Sequence, residues 1–453
     1  MTIEPKRHAL ADQLPWVAAC AQAVSAGRNV DTALAKVPPH LRAGVQALTY
    51  DVLRQWAWAQ AVLPMLASKK PSEPARSLLV CCIAMLREPS HYVSHVVVDE
   101  AVKACKASHK LKNVAGFVNA SLRTLLRDYE TLNKAALNDW VAEFNHPIWW
   151  IKRLRDQYPM HWQQVLKANM QAAPMVLRVN AQRGTQASYI ERLAVAGIPA
   201  VAIGHSGVLL AKAQPVNNLP GFDEGDVSVQ DGSAQMAAHL VWQSPHLQGL
   251  SRGAKLLDAC AAPGGKTAHL LEAQPKQVTV PAHVLALDID ATRATRITET
   301  LTRVGLQADV VVADAALPGD WCSIGPFDAI LLDAPCTASG IVRRHPDVPW
   351  LRRDTDIAQL VMQQQALLEA LWPQLAPGGR MVYCTCSTFK EEGQWQIDAF
   401  LSQHPEAELV PSCGHILPTD VNGNLAAHVE LGFSHNQAMG FDGFFYAVLD
   451  KAT

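Results

Sequence analysis

The chain has 453 residues, of which 49% are hydrophobic and 18% charged, and a net charge of −2. This length exceeds what one hydrophobic core usually organises, so we expect two or three domains. The longest strongly apolar stretch near the N-terminus, Ser77 to Leu86, is too short to span a bilayer, and Met1 to His8 leads into no apolar segment of a secretory signal. These features predict a cytoplasmic protein without a membrane segment, whose ten cysteines are reduced thiols.

The charge is unevenly distributed along the chain. Residues 1–140 contain 17 Lys and Arg against 11 Asp and Glu, whereas the rest of the chain contains 22 against 30. A basic front end suits an RNA partner, because phosphate contacts dominate such affinity, although an ordinary solvated surface would give the same bias. One basic cluster could bind phosphates or form a solvated helix face. It consists of Lys103, Lys106, Lys110 and Lys112.

The first 140 residues have the pattern of an all-α domain. Apolar residues recur at three- and four-residue spacing, and the pattern breaks at Pro38-Pro39, Lys69 to Ser72 and Pro89-Ser90. We expect five to seven helices here. The stretches with helical spacing are Val17 to Ala26, Leu41 to Leu66, Ala75 to Arg87 and Ser94 to Ala107.

After about Asn145 the pattern becomes mixed. Short helices are predicted from Trp149 and His161, a strand over Met175 to Asn180, a helix over Tyr189 to Ala196, and an extended segment over Val208 to Leu210. This small α+β segment ends where Gly and Asp accumulate. From residue 227 onward, short apolar strands alternate with amphipathic helices, the pattern of a parallel doubly wound α/β sheet.

A glycine-rich turn follows the predicted strand Ala254 to Asp258. Such a turn between a strand and a helix lets a ligand approach bare backbone, with helix N–H groups facing it. A phosphate-binding loop would need glycine where Cys260 stands, and the dinucleotide pattern GxGxxG is absent. The turn therefore favours a nucleoside without phosphates, such as S-adenosylmethionine.

Two further predicted strands end in acids. The strand Val284 to Asp288 ends about twenty residues past the glycines, where a carboxylate is expected to accept from ribose hydroxyls. The next strand ends in Asp314, placed to meet the adenine edge. Each aspartate alone would more often be a helix cap or turn residue. With Asp258, however, three acids stand at the ends of successive strands, and this register favours a binding role.

Two later strands end in cysteines. One ends in Asp333 and continues to Cys336, and the other, after a Pro-Gly-Gly turn, ends in Thr385-Cys386-Ser387. In a doubly wound sheet the C-terminal strand ends face the ligand crevice. Asp333, Cys336 and Cys386 should therefore converge beside the cofactor.

One carboxyl and two thiols suggest a reaction at a pyrimidine. Carbon 5 of cytosine is too poor a nucleophile to take a methyl group unaided. A thiolate that adds to C6 makes C5 nucleophilic, and a second group must later take the C5 proton so that the adduct can eliminate. A carboxyl near N3 would stabilise charge during these steps.

The cysteines also allow structural and metal-binding roles. A cysteine in a strand is usually a core residue, which fits Cys384, two residues before Cys386. Zinc at Cys336, Cys384, Cys386 and His345 is disfavoured because there is no CxxC pair, so no metal is expected. A core role is also expected for Cys20, Cys81, Cys82, Cys105 and Cys322.

These motifs resemble those of the RNA cytosine-C5 methyltransferase family, in particular its bacterial 16S ribosomal RNA branch of the Fmu/Sun type. The similarity covers essentially the whole chain, and its strongest motifs are Asp258 to Thr267, Asp333 to Cys336 and Thr385 to Ser387. Supporting motifs are Arg343 to Asp347 and Asp442 to Tyr446. The resemblance implies a NusB-like RNA-binding domain over residues 1–142, a small α+β RNA-binding segment over 143–226, and a class I, Rossmann-like methyltransferase domain over 227–453.

The same resemblance implies roles for individual residues. Cys386 is expected to be the nucleophile, Cys336 to assist release of the methylated base, and Asp333 to lie near both base and cofactor. DNA cytosine-C5 enzymes use the Pro-Cys thiol instead, but the Thr-Cys-Ser motif matches the RNA branch. The expected contacts of S-adenosylmethionine are Cys260, Ala261, Ala262, Pro263, Gly264, Gly265, Lys266, Asp288, Asp314 and Asp333.

The expected partner is 16S ribosomal RNA, and a monomer is the expected state. The alternatives are the same chemistry on transfer RNA or another ribosomal site, or an inactive RNA-binding scaffold. A further hypothesis concerns four arginines after the Cys336 loop, some of which could grip phosphates around a flipped-out cytosine or form surface ion pairs. They are Arg343, Arg344, Arg352 and Arg353.

Overall fold

The computed structural model describes residues 8–88, 90, 92–322, 325–418 and 441–453. The chain divides into two compact units. The first unit combines Met1–Ala172 with Val342–Asp354, and the second combines Ala173–Ile341 with Thr355–Thr453. Two predictions lie outside the described residues, namely the absence of a signal sequence over residues 1–7 and the helix break at Pro89.

The first unit is helical, as predicted. Its N-terminal part packs around a buried apolar core that includes Leu14, Val52, Leu79 and Val118. The helices are α1 (Leu10–Ser25), α2 (Val30–Leu34), α3 (Pro39–Arg54), α4 (Trp56–Leu66), α5 (Glu73–Met85), α6 (Ser94–Ala107), α7 (Ala115–Arg127), α8 (Tyr129–Ala136), α9 (Trp140–Phe144), α10 (Ile148–Gln157) and α11 (Trp162–Asn169).

The prediction of five to seven helices was too low, since the described residues up to Ala136 contain eight α-helices. The predicted stretch Leu41 to Leu66 is two helices, because the backbone leaves the helical conformation at Gln55, with φ −121° and ψ 13°. The side chain of Asn145 then accepts a hydrogen bond from the backbone N–H of Ala57, at 2.8 Å, and so satisfies a free donor at the start of α4. Helix α2, with five residues, is too short to show a periodic pattern.

The small α+β segment forms a four-stranded antiparallel sheet in the order β2-β3-β1-β4, with α12 beside it. Thr185 caps this helix by accepting from the backbone N–H of Ser188. The elements are β1 (Val176–Val179), α12 (Gln186–Val195), β2 (Ala200–Ile203), β3 (Gly207–Leu210) and β4 (Val227–Val229). Strand β4 extends this sheet just past residue 226; the three-part domain division stays a prediction.

The rest of the second unit is built on a seven-stranded sheet. Its elements, and one helix of the first unit that interrupts them, follow in chain order. They are α13 (Met236–Trp242), α14 (Pro245–Gln248), β5 (Lys255–Ala259), α15 (Gly265–Glu272), β6 (His283–Asp288), α16 (Ala291–Val304), β7 (Asp309–Val312), β8 (Phe327–Asp333), α17 (Val348–Leu351, first unit), α18 (Asp354–Leu371), β9 (Leu375–Thr385), α19 (Gln394–Gln403), β10 (Ala407–Ile416) and β11 (Phe444–Lys451).

The sheet has the order β10-β11-β9-β8-β5-β6-β7. Strands β5 to β9 are parallel, as predicted, whereas β10 and β11 add an antiparallel edge that the sequence pattern did not reveal. Successive residues of a strand enter two different cores, with Leu257 on one face and Leu256 on the other. Both faces are therefore covered, as the doubly wound class requires.

A strap of chain, residues 342–354, interrupts the second unit in sequence and belongs to the first unit. The carboxylate of Asp347 accepts from the backbone N–H of Val30 at 3.2 Å, and Trp350 and Leu351 lie against the helical core. Arg343 in this strap is only 1% exposed, and its carbonyl accepts from Arg54 at 2.9 Å. Arg343 is therefore not one of the arginines that can grip phosphates, because its guanidinium is buried, and the hypothesis stays a prediction for Arg344, Arg352 and Arg353.

Among the described residues, no helix combines the length and the hydropathy needed to cross a bilayer.

Candidate active site

The predicted site residues lie at one edge of the seven-stranded sheet. Strands β9, β8, β5 and β6 are neighbours and run parallel, so their C-terminal ends meet at this edge. The loops that follow β5 and β8 carry the glycine-rich turn and Cys336, and the end of β9 carries Cys386. This is the crevice where a doubly wound sheet binds its ligands.

The glycine-rich turn is shaped by close packing. Gly264 has φ +90°, and a Cβ there would lie 2.8 Å from the Cα of Ile297 in α16. Cys260 also adopts a positive φ of 63°, which is unusual for a residue with a side chain. The turn therefore lies tightly against α16, and helix α15 begins directly after it with free backbone N–H groups.

Asp258, at the end of β5, has a fully buried carboxylate. Thr267 donates to its Oδ2 at 2.6 Å, and burial raises the pKa of Asp258 to about 7. The other oxygen, Oδ1, has no hydrogen-bond partner among the described residues. A buried acceptor without a donor is costly, so this atom points to a ligand donor such as an amino group.

Asp288, at the end of β6, is tied to the glycine-rich turn. Its carboxylate accepts from the backbone N–H groups of Ala262 and Asp290, both at 3.1 Å, and lies 3.3 Å from the guanidinium of Arg293. Asp314, after β7, is only partly buried, and its carboxylate accepts from the backbone N–H of Ala316 at 2.9 Å. A bond from the backbone N–H two residues later is typical of an aspartate in a turn. Adenine contact by Asp314 stays a prediction.

Asp333 and Lys266 form an ion pair across the crevice. The Lys266 ammonium donates to the Asp333 carboxylate at 2.6 Å and lies 5.3 Å from the centre of the Phe444 ring. Burial alone would lower the pKa of Lys266, but the charge of Asp333 outweighs it and raises that pKa. Lys266 is therefore a cation at the centre of the site, held by an acid from one strand and a ring from another.

Cys384 takes part in this site as well as in the core. Its side chain is fully buried among apolar residues, as predicted, but its thiol also donates to Asp333 at 3.5 Å. Burial, together with the charge of Asp333, raises the pKa of the Cys384 thiol. The thiol is thus an uncharged donor that helps to fix Asp333. Strand alternation placed Cys384 on the face of Cys386, but no sequence signal indicated the contact with Asp333.

Cys336 and Cys386 lie side by side. Their sulfur atoms are 3.3 Å apart, and either thiol can donate to the other. The pKa of Cys336 is raised by its hydrogen bond to Cys386, by burial and by nearby negative charge. Cys336 is buried, with 9% of its surface exposed, whereas Cys386 is partly exposed.

The two cysteine segments are joined by backbone hydrogen bonds. Ala334 donates to the carbonyl of Cys384 at 2.9 Å, and Gly340 donates to the carbonyl of Cys386 at 2.9 Å. Gly443, just before β11, donates to the carbonyl of Gly340, and a Cβ on Gly340 would collide with the Gly443 backbone. These bonds hold the Cys336 loop against the end of β9.

The residues around the crevice fit S-adenosylmethionine. Asp258 offers an acceptor without a donor, Asp288 lies at the turn where ribose hydroxyls are expected, and the bare glycine backbone suits a ligand without phosphates. As for metals, no group of three or more His, Cys, Asp or Glu side chains with a metal-binding arrangement occurs in the part of the chain that the structure describes.

Three family models match successive parts of the chain. A model described as 16S rRNA methyltransferase RsmB/F matches residues 247–450, and one described as an RsmF/B-like ferredoxin-like domain matches residues 146–217. A model of the NusB family matches residues 15–127. Together they follow the order of the predicted domains.

Curated relatives match nearly the whole chain. The ribosomal RNA small subunit methyltransferase B of Yersinia pestis bv. Antiqua (strain Angola) is 40% identical over 446 residues, which cover 96% of this chain and 97% of that protein. The chain belongs to the RsmB/F family of 16S rRNA methyltransferases. This membership confirms the predicted family, the fold class, the enzyme class and S-adenosylmethionine as cofactor.

Solved structures agree with the fold of this RsmB/F member. The crystal structure of PH0851 aligns over 100% of this chain and 100% of its own, with a TM-score of 0.71 and 23% identity. At this level of identity the likeness shows the fold alone. A methyltransferase homolog protein from Pyrococcus horikoshii covers 69% of this chain, with 97% of its own length matched, a TM-score of 0.54 and 25% identity. The roles of individual site residues, the cytoplasmic location and the monomeric state stay predictions.

Proposed function

We propose that this RsmB/F member methylates C5 of a cytosine in 16S ribosomal RNA, with Cys386 as the nucleophile and Cys336 as the group that assists release. The observation that carries the proposal is the pair of sulfurs 3.3 Å apart at the crevice edge. Bound S-adenosylmethionine would supply the methyl group from its sulfonium. The residues of this chain would do the rest.

Cys386 acts first. Its thiolate adds to C6 of the cytosine, so that a carbon–sulfur bond forms and the ring electrons make C5 nucleophilic enough to accept the methyl group. Asp333 would lie near N3 and stabilise charge as the ring changes. Lys266 and the Cys384 thiol both donate to Asp333, which supports a fixed orientation of that carboxyl group.

Cys336 acts second, as the group that takes the C5 proton while the bond from Cys386 to C6 breaks. Its pKa is raised chiefly by the hydrogen bond to Cys386, and the charge of Cys386 adds to this. Once Cys386 is bonded to carbon it has no charge to oppose ionisation of Cys336, whereas burial and the charge of Glu392 still oppose it. The loss of the Cys386 charge favours Cys336 as the base at the stage when a base is required.

The two thiols can be distinguished with tritiated S-adenosylmethionine and unmodified 16S RNA. We expect Cys386→Ala to lower methyl transfer by about 10³-fold or more, because no covalent activation of C5 remains. Cys336→Ala should instead accumulate a covalent protein–RNA adduct, visible as a band shift.

Cys413→Ala is the matched control, because Cys413 is a partly buried thiol on β10 that is not among the proposed catalytic groups. It should transfer methyl groups at the wild-type rate. If Cys386→Ala formed the adduct and Cys336→Ala did not, the two roles would be reversed. An inactive scaffold would transfer no label even as the wild-type protein.

A further inference from the structure

Glu392 is a fully buried carboxylate behind the two catalytic cysteines. It ends a short 3-10 turn, Lys390–Glu392, that follows β9, and it is 0% exposed. Each of its oxygens accepts two hydrogen bonds. Oε1 accepts from the backbone N–H of Thr337 at 2.8 Å and from Gln364 at 3.3 Å, and Oε2 accepts from the hydroxyls of Thr337 and Ser387, both at 2.5 Å.

These donors come from both cysteine segments. Thr337 directly follows Cys336, and Ser387 directly follows Cys386. Gln364, on α18, also donates to the carbonyl of Pro335 at 2.9 Å, immediately before Cys336. The Glu392 carboxylate is therefore bonded to the residue that follows each catalytic cysteine. Its third partner, Gln364, also fixes Pro335, the residue before Cys336.

The four hydrogen-bond partners match the full capacity of an ionised Glu392. A carboxylate has about four acceptor positions and no donor, and the backbone N–H of Thr337 and the amide of Gln364 can only donate to it. Burial raises the pKa of Glu392, and the hydrogen bonds from Ser387, Thr337 and Gln364 oppose that rise. Burying a charge costs free energy that an apolar side chain would not, so a specific geometric role is expected.

We propose that Glu392 is a positioning residue that sets the separation of the Cys336 and Cys386 sulfurs. It touches neither sulfur in the contacts described above; it acts through Thr337 and Ser387, whose positions fix the ends of the two cysteine segments. The inference deepens the proposed function and rests on it, because the separation matters only if both thiols act on one base. A displacement of about 1 Å at such a site can lower a rate by about 100-fold.

Two variants test the role. Glu392→Ala removes all four acceptor contacts. Glu392→Gln keeps the size and one carbonyl oxygen, and the two hydroxyls can turn to accept from its amide. We expect kcat for methyl transfer to fall by about 100-fold in the alanine variant and by less in the glutamine variant. The KM values for RNA and cofactor should change little, because Glu392 belongs to neither expected binding surface. Glu408→Ala, an exposed glutamate on β10, is the control.

The separation can be measured without methyl transfer. Diamide oxidises two neighbouring thiols to a disulfide: the sulfurs bond to each other, and their two hydrogens reduce the N=N bond to a hydrazine. In the full-length wild-type protein the Cys336–Cys386 disulfide should form rapidly, because sulfurs 3.3 Å apart need approach by little more than 1 Å to reach the bonded distance of about 2 Å. Peptide mass mapping identifies this disulfide among products of other cysteines.

We expect the rate of this disulfide to fall by about tenfold or more in Glu392→Ala, and by less in Glu392→Gln, at temperatures where thermal unfolding shows each variant to be folded. The Glu408→Ala control should oxidise at the wild-type rate. An unchanged disulfide rate in the folded glutamine variant and in a folded alanine variant would overturn the positioning role. A wild-type protein that transfers no methyl group would overturn the proposed function instead, so the two failures are distinguishable.

Discussion

Asp258 shows how a single buried group makes the stability of this protein depend on pH. Burial raises the folded-state pKa of Asp258 to about 7, whereas the pKa of an exposed aspartate is about 4. Between these values the folded protein holds a proton that the unfolded chain has released. This group therefore favours the folded state at low pH, and the advantage is lost as the pH rises through about 7.

We expect Asp258→Asn to remove this dependence, because an amide does not titrate. The free energy of unfolding of the wild type, measured relative to the variant, should fall by on the order of a few kcal/mol between pH 4 and pH 8. Chemical denaturation at several pH values measures the difference.

Asp398→Asn provides the comparison, since Asp398 is an exposed carboxylate on α19. Its difference from the wild type should stay nearly constant over the same pH range. If the difference in free energy of unfolding between the wild type and Asp258→Asn also stayed constant with pH, the buried carboxylate would be ionised over the whole pH range.

Residue types with few structural uses gave the clearest predictions from the sequence. A Pro-Cys after a strand and a Thr-Cys-Ser at the end of another predicted the neighbouring thiols, and the sulfurs are indeed 3.3 Å apart. Glu392 was missed because it stands in Lys390-Glu391-Glu392, which has the composition of a solvated turn. Its burial depends on donors more than fifty residues away at Thr337, a relation that no local pattern contains.

Among the secondary-structure elements, β1 and α15 are joined by a buried ion pair. The guanidinium of Arg178 makes two hydrogen bonds to Glu272, both at 2.8 Å, and donates to the carbonyl of Gly265 at 2.7 Å. Both side chains are almost wholly buried. The pair therefore fixes the small antiparallel sheet to the helix that begins at the glycine-rich turn.

Arg178→Met should destabilise the protein by about 3–5 kcal/mol, because it leaves the Glu272 carboxylate buried without a partner. Adding Glu272→Met should recover much of that loss, since two apolar side chains can replace a buried ion pair. Urea unfolding of both variants measures the effect.

The exposed pair Arg192 and Asp226, at 2.8 Å, serves as the reference. Arg192→Met should cost no more than about 1 kcal/mol, because water screens the charges. A similarly small cost for Arg178→Met would show that Glu272 finds water or another donor when its partner is removed.

The helices and strands with the most regular spacing of apolar residues were predicted best. Helix α6, with apolar residues at regular spacing, has the predicted bounds Ser94–Ala107. Strand β10 was not predicted, since Ala407–Ile416 alternates weakly and contains a proline and a glycine. That strand forms because β11 pairs with it from the end of the chain, with a register shift between Val410 and Gly414. Pairing partners so distant in sequence leave little local signal.

For the molecule as a whole, the basic bias of the first 140 residues can be tested as an RNA-binding property. Lys106, Lys110 and Lys112 are exposed, whereas Lys103 is paired with Glu100 at 2.6 Å. Changing Lys106, Lys110 and Lys112 to Gln should weaken 16S RNA binding. It should also reduce the slope of log affinity against log salt by about 2–3, if each lysine neutralises one phosphate.

A second triple variant carries the same charge change elsewhere. Lys36, Lys69 and Lys276 are exposed lysines scattered over the chain, and their replacement by Gln should leave most of the slope intact. Equal slopes for the two triple variants would show that the basic bias acts only through net charge and that the cluster makes no local phosphate contacts.

The strap of residues 342–354 has a consequence for how the protein is synthesised. Its Asp347, Trp350 and Leu351 complete the helical unit, yet they leave the ribosome some 170 residues after Ala172, the end of that unit's main part. At ordinary elongation rates this is a delay on the order of 10 to 30 s. The N-terminal helices therefore wait, with part of their surface uncovered, until the Cys336 loop has been translated, although strands β9, β10 and β11 of the large sheet have still to follow.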